Sequence, residues 1–187
     1  MKLMFKKEVV SHLLVTLIWL VIITLLRWDW HWNSILLWLG GLVGTFLIDI
    51  DHLIYTLWLY PHELTGMRVK RLTEQRRFKE VFNLLVETKK ERVKLIFHNA
   101  LFQAPFYVLC FFVLTSTGSL FGAGLVMAMV LHLLKGEIEC LLRGREGEAY
   151  LRQWLFWPIK GEVSFTQQRV FVVLMLALFL GLNLFLI

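Results

Sequence analysis

The run FLIDIDHLIY, residues 46–55, sets Asp49, Asp51 and His52 within four positions of an otherwise apolar stretch. Carboxylates and an imidazole in such surroundings have few uses: metal binding, proton transfer or a buried ion pair. An ionisable group at bilayer depth is costly, so it faces a bundle interior or a wet cavity. On a helix, Asp49 and His52 are three residues and about 60° apart, and they can hold one ion together. Asp51 points about 160° away from Asp49. Three roles are open to it: ligand to a second ion, carboxylate orienting a ligand histidine, or cap of another helix.

Three more apolar stretches carry a histidine. His12 lies in EVVSHLLV with Glu8 one turn earlier, His98 in LIFHNALF beside Asn99 and Gln103, and His132 in VLHLLKGEIE ahead of Glu137 and Glu139. Counted from the outer end of each predicted span at 1.5 Å per residue, His12, Asp49, His98 and His132 all lie roughly 18–26 Å down. Carboxylates and imidazoles converging from four helices at one depth are what a divalent cation requires, because the ion offsets the negative charge and neutral imidazole completes its shell. The candidate ligands are therefore His12, Asp49, Asp51, His52, His98 and His132, and the expected cofactor is a divalent metal, Zn²⁺ before others. Glu137 and Glu139 are the candidate general bases. Lys94, Asn99 and Lys135 are the candidate substrate contacts. Taken alone, His12 or His132 reads as a hydrogen-bonded core residue; the shared depth favours a site. His31 reads as a surface residue, and His62 and Glu63 as interface or capping residues. Cys110 and Cys140 form no CxxC pair and suggest neither a disulfide framework nor a metal site.

The elements that must position these groups follow from composition. The 187 residues are 58% hydrophobic, and the mean hydropathy is +0.65. Too little polar surface remains to cover a soluble domain of this size. A bilayer core needs roughly 20 apolar residues per helix, and five stretches are long enough: Val9–Leu26, Ile35–Tyr60, Leu95–Thr115 with Pro105 as a kink, Leu120 to about Leu142, and Val170–Ile187. The first has a basic start like a signal peptide, but its apolar stretch is too long and no small-residue cleavage site follows, so it reads as an anchor. The fold class expected is all-α: a multi-pass transmembrane helix bundle of about five helices, one membrane domain over residues 1–187.

The basic residues predict its orientation. Lys2, Lys6 and Lys7 precede the first span, ten Lys and Arg lie between Arg68 and Lys94, and six between Lys135 and Arg169, which leaves Arg27 alone on the other side. The positive-inside rule then puts the N-terminus, the 61–94 loop and the 143–169 segment in the cytoplasm, and the protein in the cytoplasmic membrane. Trp28, Trp30 and Trp32 form an outer interfacial belt and Trp154 and Trp157 an inner one. The inner pair sits on a surface helix or re-entrant piece. Phe78, Val81, Phe82 and Leu85 recur at helical spacing among basic residues, so Thr73–Arg92 is predicted to be an amphipathic cytoplasmic helix. It would lie on anionic lipid headgroups at 68–94, with no nucleic acid expected as a partner. Gly40 with Gly44, and Gly118 with Gly122, are GxxxG pairs suited to close helix contact.

With these motifs the chain resembles the LexA-binding, inner-membrane-associated hydrolases, a family of small multi-pass proteins. Its pattern is a helical His, then P-D-x-D-H, then H-R-G-x-x-H-S, then a His with an acid one turn on, then a tryptophan–proline segment. His12, the LIDIDH run, His98, His132 and WLFWPIKG fall in those places, over most of residues 8–160. Ile48 replaces the proline, Val93 and Lys94 stand where the first His and the Arg belong, and Gly136 takes the place of the acid, with Glu137 and Glu139 after it. The resemblance implies a membrane-embedded, zinc-type hydrolase with a relation to zinc phospholipases C, and a ligand set short of a full dinuclear centre. A site near the cytoplasmic face suits an ester or phosphoester at a lipid headgroup. Two other classes stand beside it, a metal or proton transporter and a non-catalytic membrane scaffold of the same fold. Against the transporter, the outer half of each span is nearly free of polar groups.

Overall fold

The computed structural model describes the backbone of residues 2–28 and 31–187, and the side chains of 9–28, 31–89 and 91–187. Lys2, Lys6, Lys7, Glu8 and Trp30, singled out above, have side chains outside these. Among the described residues every regular element is helical: α1 (Lys2–Arg27), α2 (Ser34–Leu47), α3 (Ile50–Ile54), α4 (Leu64–Glu74), α5 (Phe78–Glu87), α6 (Ala100–Ser116), α7 (Leu120–Leu142), α8 (Arg145–Leu155) and α9 (Phe165–Asn183), with a π turn at Tyr55–Leu59 and a 3₁₀ turn at Lys89–Glu91.

Three helices are long and apolar enough to cross a membrane: Val9–Arg27, Ser34–Leu59 and Phe165–Asn183. Their outward faces carry Leu14, Ile18, Ile22, Leu36, Val43, Val173, Leu174 and Leu180 exposed. A surface so uniformly apolar would not stay dispersed in water. A shorter apolar helix, α6, continues through Pro105.

The central element is α7, which touches α1, α2, α6, α8 and α9. Its Met127, Ala128, Val130, Leu133 and Leu134 meet Leu20, Ile23, Leu37 and Ile48 in the main core. The α2–α7 contact is the most extensive in the fold. A Cβ on Gly40 would lie 2.0 Å from the Phe121 carbonyl oxygen, one on Gly44 2.2 Å from that of Leu125, and one on Gly124 2.2 Å from that of Leu37. Only glycine lets two backbones come this near. The Gly40–Gly44 pair thus acts at a helix interface, but its counterpart is Gly124. Gly118 is not in a helix at all; at φ +62° it turns the chain between α6 and α7.

Several predicted boundaries change. The second apolar span breaks after Leu47, where the amides of Asp49, Asp51 and His52 bond back three residues to Phe46, Ile48 and Asp49 rather than four. The third helix begins at Ala100, not Leu95, because Asn99 caps it by accepting from the Phe102 amide at 2.9 Å. His98 is therefore outside the helix, in an irregular stretch. The amphipathic helix expected over Thr73–Arg92 is instead a pair, α4 and α5, turning at Arg76 with φ +57° and closing on Val69, Val81 and Leu85. The last helix starts at Phe165, five residues before Val170, because Ser164 and Gln167 form a reciprocal capping box. Of the 143–169 segment, α8 is a helix that buries Leu151, Trp154 and Leu155 and is clasped to α9 by Arg169 and Glu148 at 2.5 Å.

Glycine-to-alanine substitutions should separate packing from propensity. Gly44→Ala and Gly124→Ala drive a methyl into a carbonyl oxygen and should cost about 1–3 kcal/mol or more. Gly136→Ala, with open space around its Cβ, should be neutral or stabilise by up to about 1 kcal/mol. Thermal unfolding followed by circular dichroism in detergent checks both.

Candidate metal centre

The centre gathers where α2 ends, where α7 passes it, and where the irregular chain before α6 crosses both. The close α2–α7 contact brings the Thr45 carbonyl to His132 Nδ1 at 2.8 Å. An imidazole beside a carbonyl must donate to it, so Nδ1 carries the proton and Nε2 keeps a free lone pair. That nitrogen faces Asp49 Oδ1 at 3.7 Å.

His98 is held in the same manner by another partner. Its Nδ1 lies 3.1 Å from Asp51 Oδ2, and the same carboxylate accepts the amides of Ile96 at 3.1 Å and Phe97 at 2.7 Å. Asp51 is fully buried, and these three donors occupy it. It stands behind the His98 ring, and the group of mutually facing ligand atoms is Asp49, His98 and His132. His98 Nε2 is left buried without a hydrogen-bond partner.

One nitrogen of His98, one of His132 and one oxygen of Asp49 lie within 4.8 Å of one another. Asp49 is 35% exposed while both histidines are buried, and Lys89 Nζ stands 3.7 Å from Asp49 Oδ1 at the open side. His52 Nε2 is 3.8 Å from that oxygen. The rings of His12 and His132 stack at 4.0 Å, and Trp154 edges His98 at 6.3 Å. Buried side-chain atoms with no hydrogen-bond partner include His12 Nδ1, Asp49 Oδ1, His52 Nε2 and His98 Nε2. Each orphaned polar atom costs about 1–3 kcal/mol, so a ligand that satisfied them would stabilise the fold. The donor set suits a divalent ion: bonds of about 2.0–2.1 Å in a tetrahedron put ligand atoms about 3.4 Å apart, close to the 3.7 Å between Asp49 and His132.

The remaining candidates have partners of their own. Glu139 is tied to Lys135 at 2.6 Å, one turn apart on α7. Glu137 is fully buried and accepts from Gln103 of α6 at 2.5 Å. Each of these carboxylates has a side-chain partner of its own on α6 or α7. Lys94 lies over the Tyr60 ring at 6.0 Å. Asn99 spends its oxygen capping α6 and its amide on the Leu95 and Ile96 carbonyls, so it has little left for a substrate. Cys110 and Cys140 are buried and unbridged.

Two residues of the centre carried no signal in the sequence. Arg92, only 2% exposed, donates from Nε to His52 Nδ1 at 3.1 Å, and Lys89 approaches Asp49. Both belong to a basic run that otherwise looks like charge for a membrane surface. Burial pushes the Arg92 guanidinium down to about 10, which leaves it cationic at neutral pH. No family model, curated protein or solved structure matches the chain.

Asp51 should be a stability hinge as well as an orienting group. Asp51→Ala strands two backbone amides, at about 1–3 kcal/mol each, and should lower the unfolding midpoint sharply. Asp51→Asn keeps an acceptor and should lose roughly half as much, which denaturation in detergent can compare.

Proposed function

We propose that this chain is a membrane-embedded hydrolase built around one divalent cation, Zn²⁺ first, held by Asp49, His98 and His132. A single observation carries the proposal. Three ligand atoms from separate parts of the chain face one another, while the far nitrogen of each histidine is committed to an orienting acceptor. Three protein ligands with a position left open are the pattern of catalytic rather than structural zinc, and orienting acceptors behind the histidines are its usual support.

A bound ion of this kind supplies Lewis acidity and a water of lowered pKa. The chain's own residues do the rest. Asp51 and the Thr45 carbonyl hold His98 and His132 in the tautomer that leaves Nε2 free. Asp49, the most open of the three ligands, marks the side from which substrate and water enter. His12, stacked on His132, walls the centre and excludes solvent from that side.

For the membrane arrangement we propose five crossings, by α1, α2 with its continuation to Leu59, α6, α7 and α9. The N-terminus and the α4–α5 pair then lie on the cytoplasmic side, where 19 of the 20 Lys and Arg fall. The centre stands toward that side, and an ester or phosphoester at a lipid headgroup is the substrate class this depth suits. The resemblance to the LexA-binding, inner-membrane-associated hydrolases supports the same proposal through His12, Asp49, Asp51, His52, His98 and His132.

Elemental analysis of protein purified without chelator should find about one divalent metal per chain. Asp49→Asn and His132→Ala should retain less than a tenth of it with unchanged helical circular dichroism. A wild type that carries no metal, and takes up none on Zn²⁺ titration, would sink the proposal.

A further inference from the structure

We infer that His52 is not a ligand but a hydrogen-bond donor aimed at an anionic oxygen in the centre, and that Arg92 is the positioning residue that makes it one. A guanidinium has five N–H donors and no acceptor. Its Nε lies 3.1 Å from His52 Nδ1, so that ring nitrogen must accept. A neutral His52 then carries its proton on Nε2, the atom that points toward Asp49 Oδ1 at 3.8 Å and has no hydrogen-bond partner. A protonated nitrogen has no lone pair for a metal. His98 and His132 have the opposite arrangement, each with an oxygen behind Nδ1. The three histidines near Asp49 thus divide into two with Nε2 lone pairs and one with an Nε2–H.

The arrangement is over-determined at Arg92. Its Nη1 donates to Thr88 Oγ1 at 2.6 Å, just past the end of α5, and its Nη2 donates to the Leu85 carbonyl in the last turn of that helix. With three of its donors committed in a buried position, the guanidinium cannot swing away to leave His52 free to change tautomer. At 3.8 Å the His52 N–H is too far from Asp49 for a hydrogen bond, so the donor is unspent. Together with the Lys89 ammonium, 3.7 Å from the same oxygen, it presents positive potential beside Asp49. An unspent donor fixed there is placed to stabilise negative charge that develops on a reacting oxygen.

The role assigned to that oxygen rests on the hydrolase proposal; the tautomer does not. Full-length protein with ¹⁵N-labelled histidine, in micelles and free of metal, is examined by ¹⁵N–¹H correlation through the ring protons, with His52 assigned from a His52→Gln sample. The expected result is His52 protonated on Nε2 and accepting at Nδ1, with His98 and His132 protonated on Nδ1. In Arg92→Met the constraint is gone, and the Nδ1–H form of His52 should appear. A wild-type His52 protonated on Nδ1 overturns the inference, whether or not Arg92→Met folds. Zn²⁺ titration supplies the second readout. His52→Ala should weaken binding by less than about threefold, and His98→Ala by about tenfold or more. Equal losses in both variants would make His52 a ligand and overturn the inference. No Zn²⁺ binding by wild type would instead overturn the metal centre and leave the tautomer result standing.

Discussion

The contact on which everything else hangs is the crossing of α2 and α7, where glycines let the backbones touch. Lipid tails are as apolar as leucine, so transmembrane helices gain little by hiding apolar side chains from them. Close packing, and the hydrogen bonds it permits, must hold them together. Gly40, Gly44 and Gly124 supply that closeness. Thr45 follows Gly44 directly, and its carbonyl reaches His132 only because the helices are this near. Asp49, one turn further along, comes against the same histidine. Were the two helices held apart by a layer of side chains, His132 would lose its acceptor and Asp49 its neighbour in one step.

Orientation is as much a part of this centre as proximity. A histidine can ligate, donate or merely fill space, and the group behind its far nitrogen decides which. Here those groups differ in kind: a carbonyl behind His132, a carboxylate behind His98, a guanidinium behind His52. Asp51 also pins the amides of Ile96 and Phe97, so the irregular stretch carrying His98 is anchored by the residue that orients its ring. The chain can leave helical geometry there because this buried carboxylate, and not water, satisfies the freed amides.

The α4–α5 pair is joined to the centre by the same economy. Lys89 and Arg92 come from the turn that follows α5, and both reach inward while most of the surrounding charge does not. A segment that composition assigns to the membrane surface therefore also furnishes electrostatics to a buried site. Arg92 is held by Leu85 of α5 and by Thr88 just after it, so the residue that donates to His52 is anchored to that helix.

How much of this was legible in the sequence follows from which interactions are local. Hydropathy alone determined that the chain is helical and apolar, because the cost of leaving polar backbone unsatisfied in lipid depends on composition over about 20 residues. Asp49, His98 and His132 were nominated by their types and depth, since such residues in oil need a reason. The Gly40–Gly44 pair was visible as a motif; Gly124, its real counterpart, was not. Beyond that, only tertiary structure could decide. The break at Ile48–Asp49 and the irregular chain before Ala100 sit inside stretches whose apolar runs predict unbroken helix. The partners taken by Asp51, Glu137 and Lys94 lie 34 to 47 residues away in sequence. Arg92 is the sharpest case: its type and neighbours describe a surface cation, and only a hydrogen bond across 40 residues makes it part of the centre.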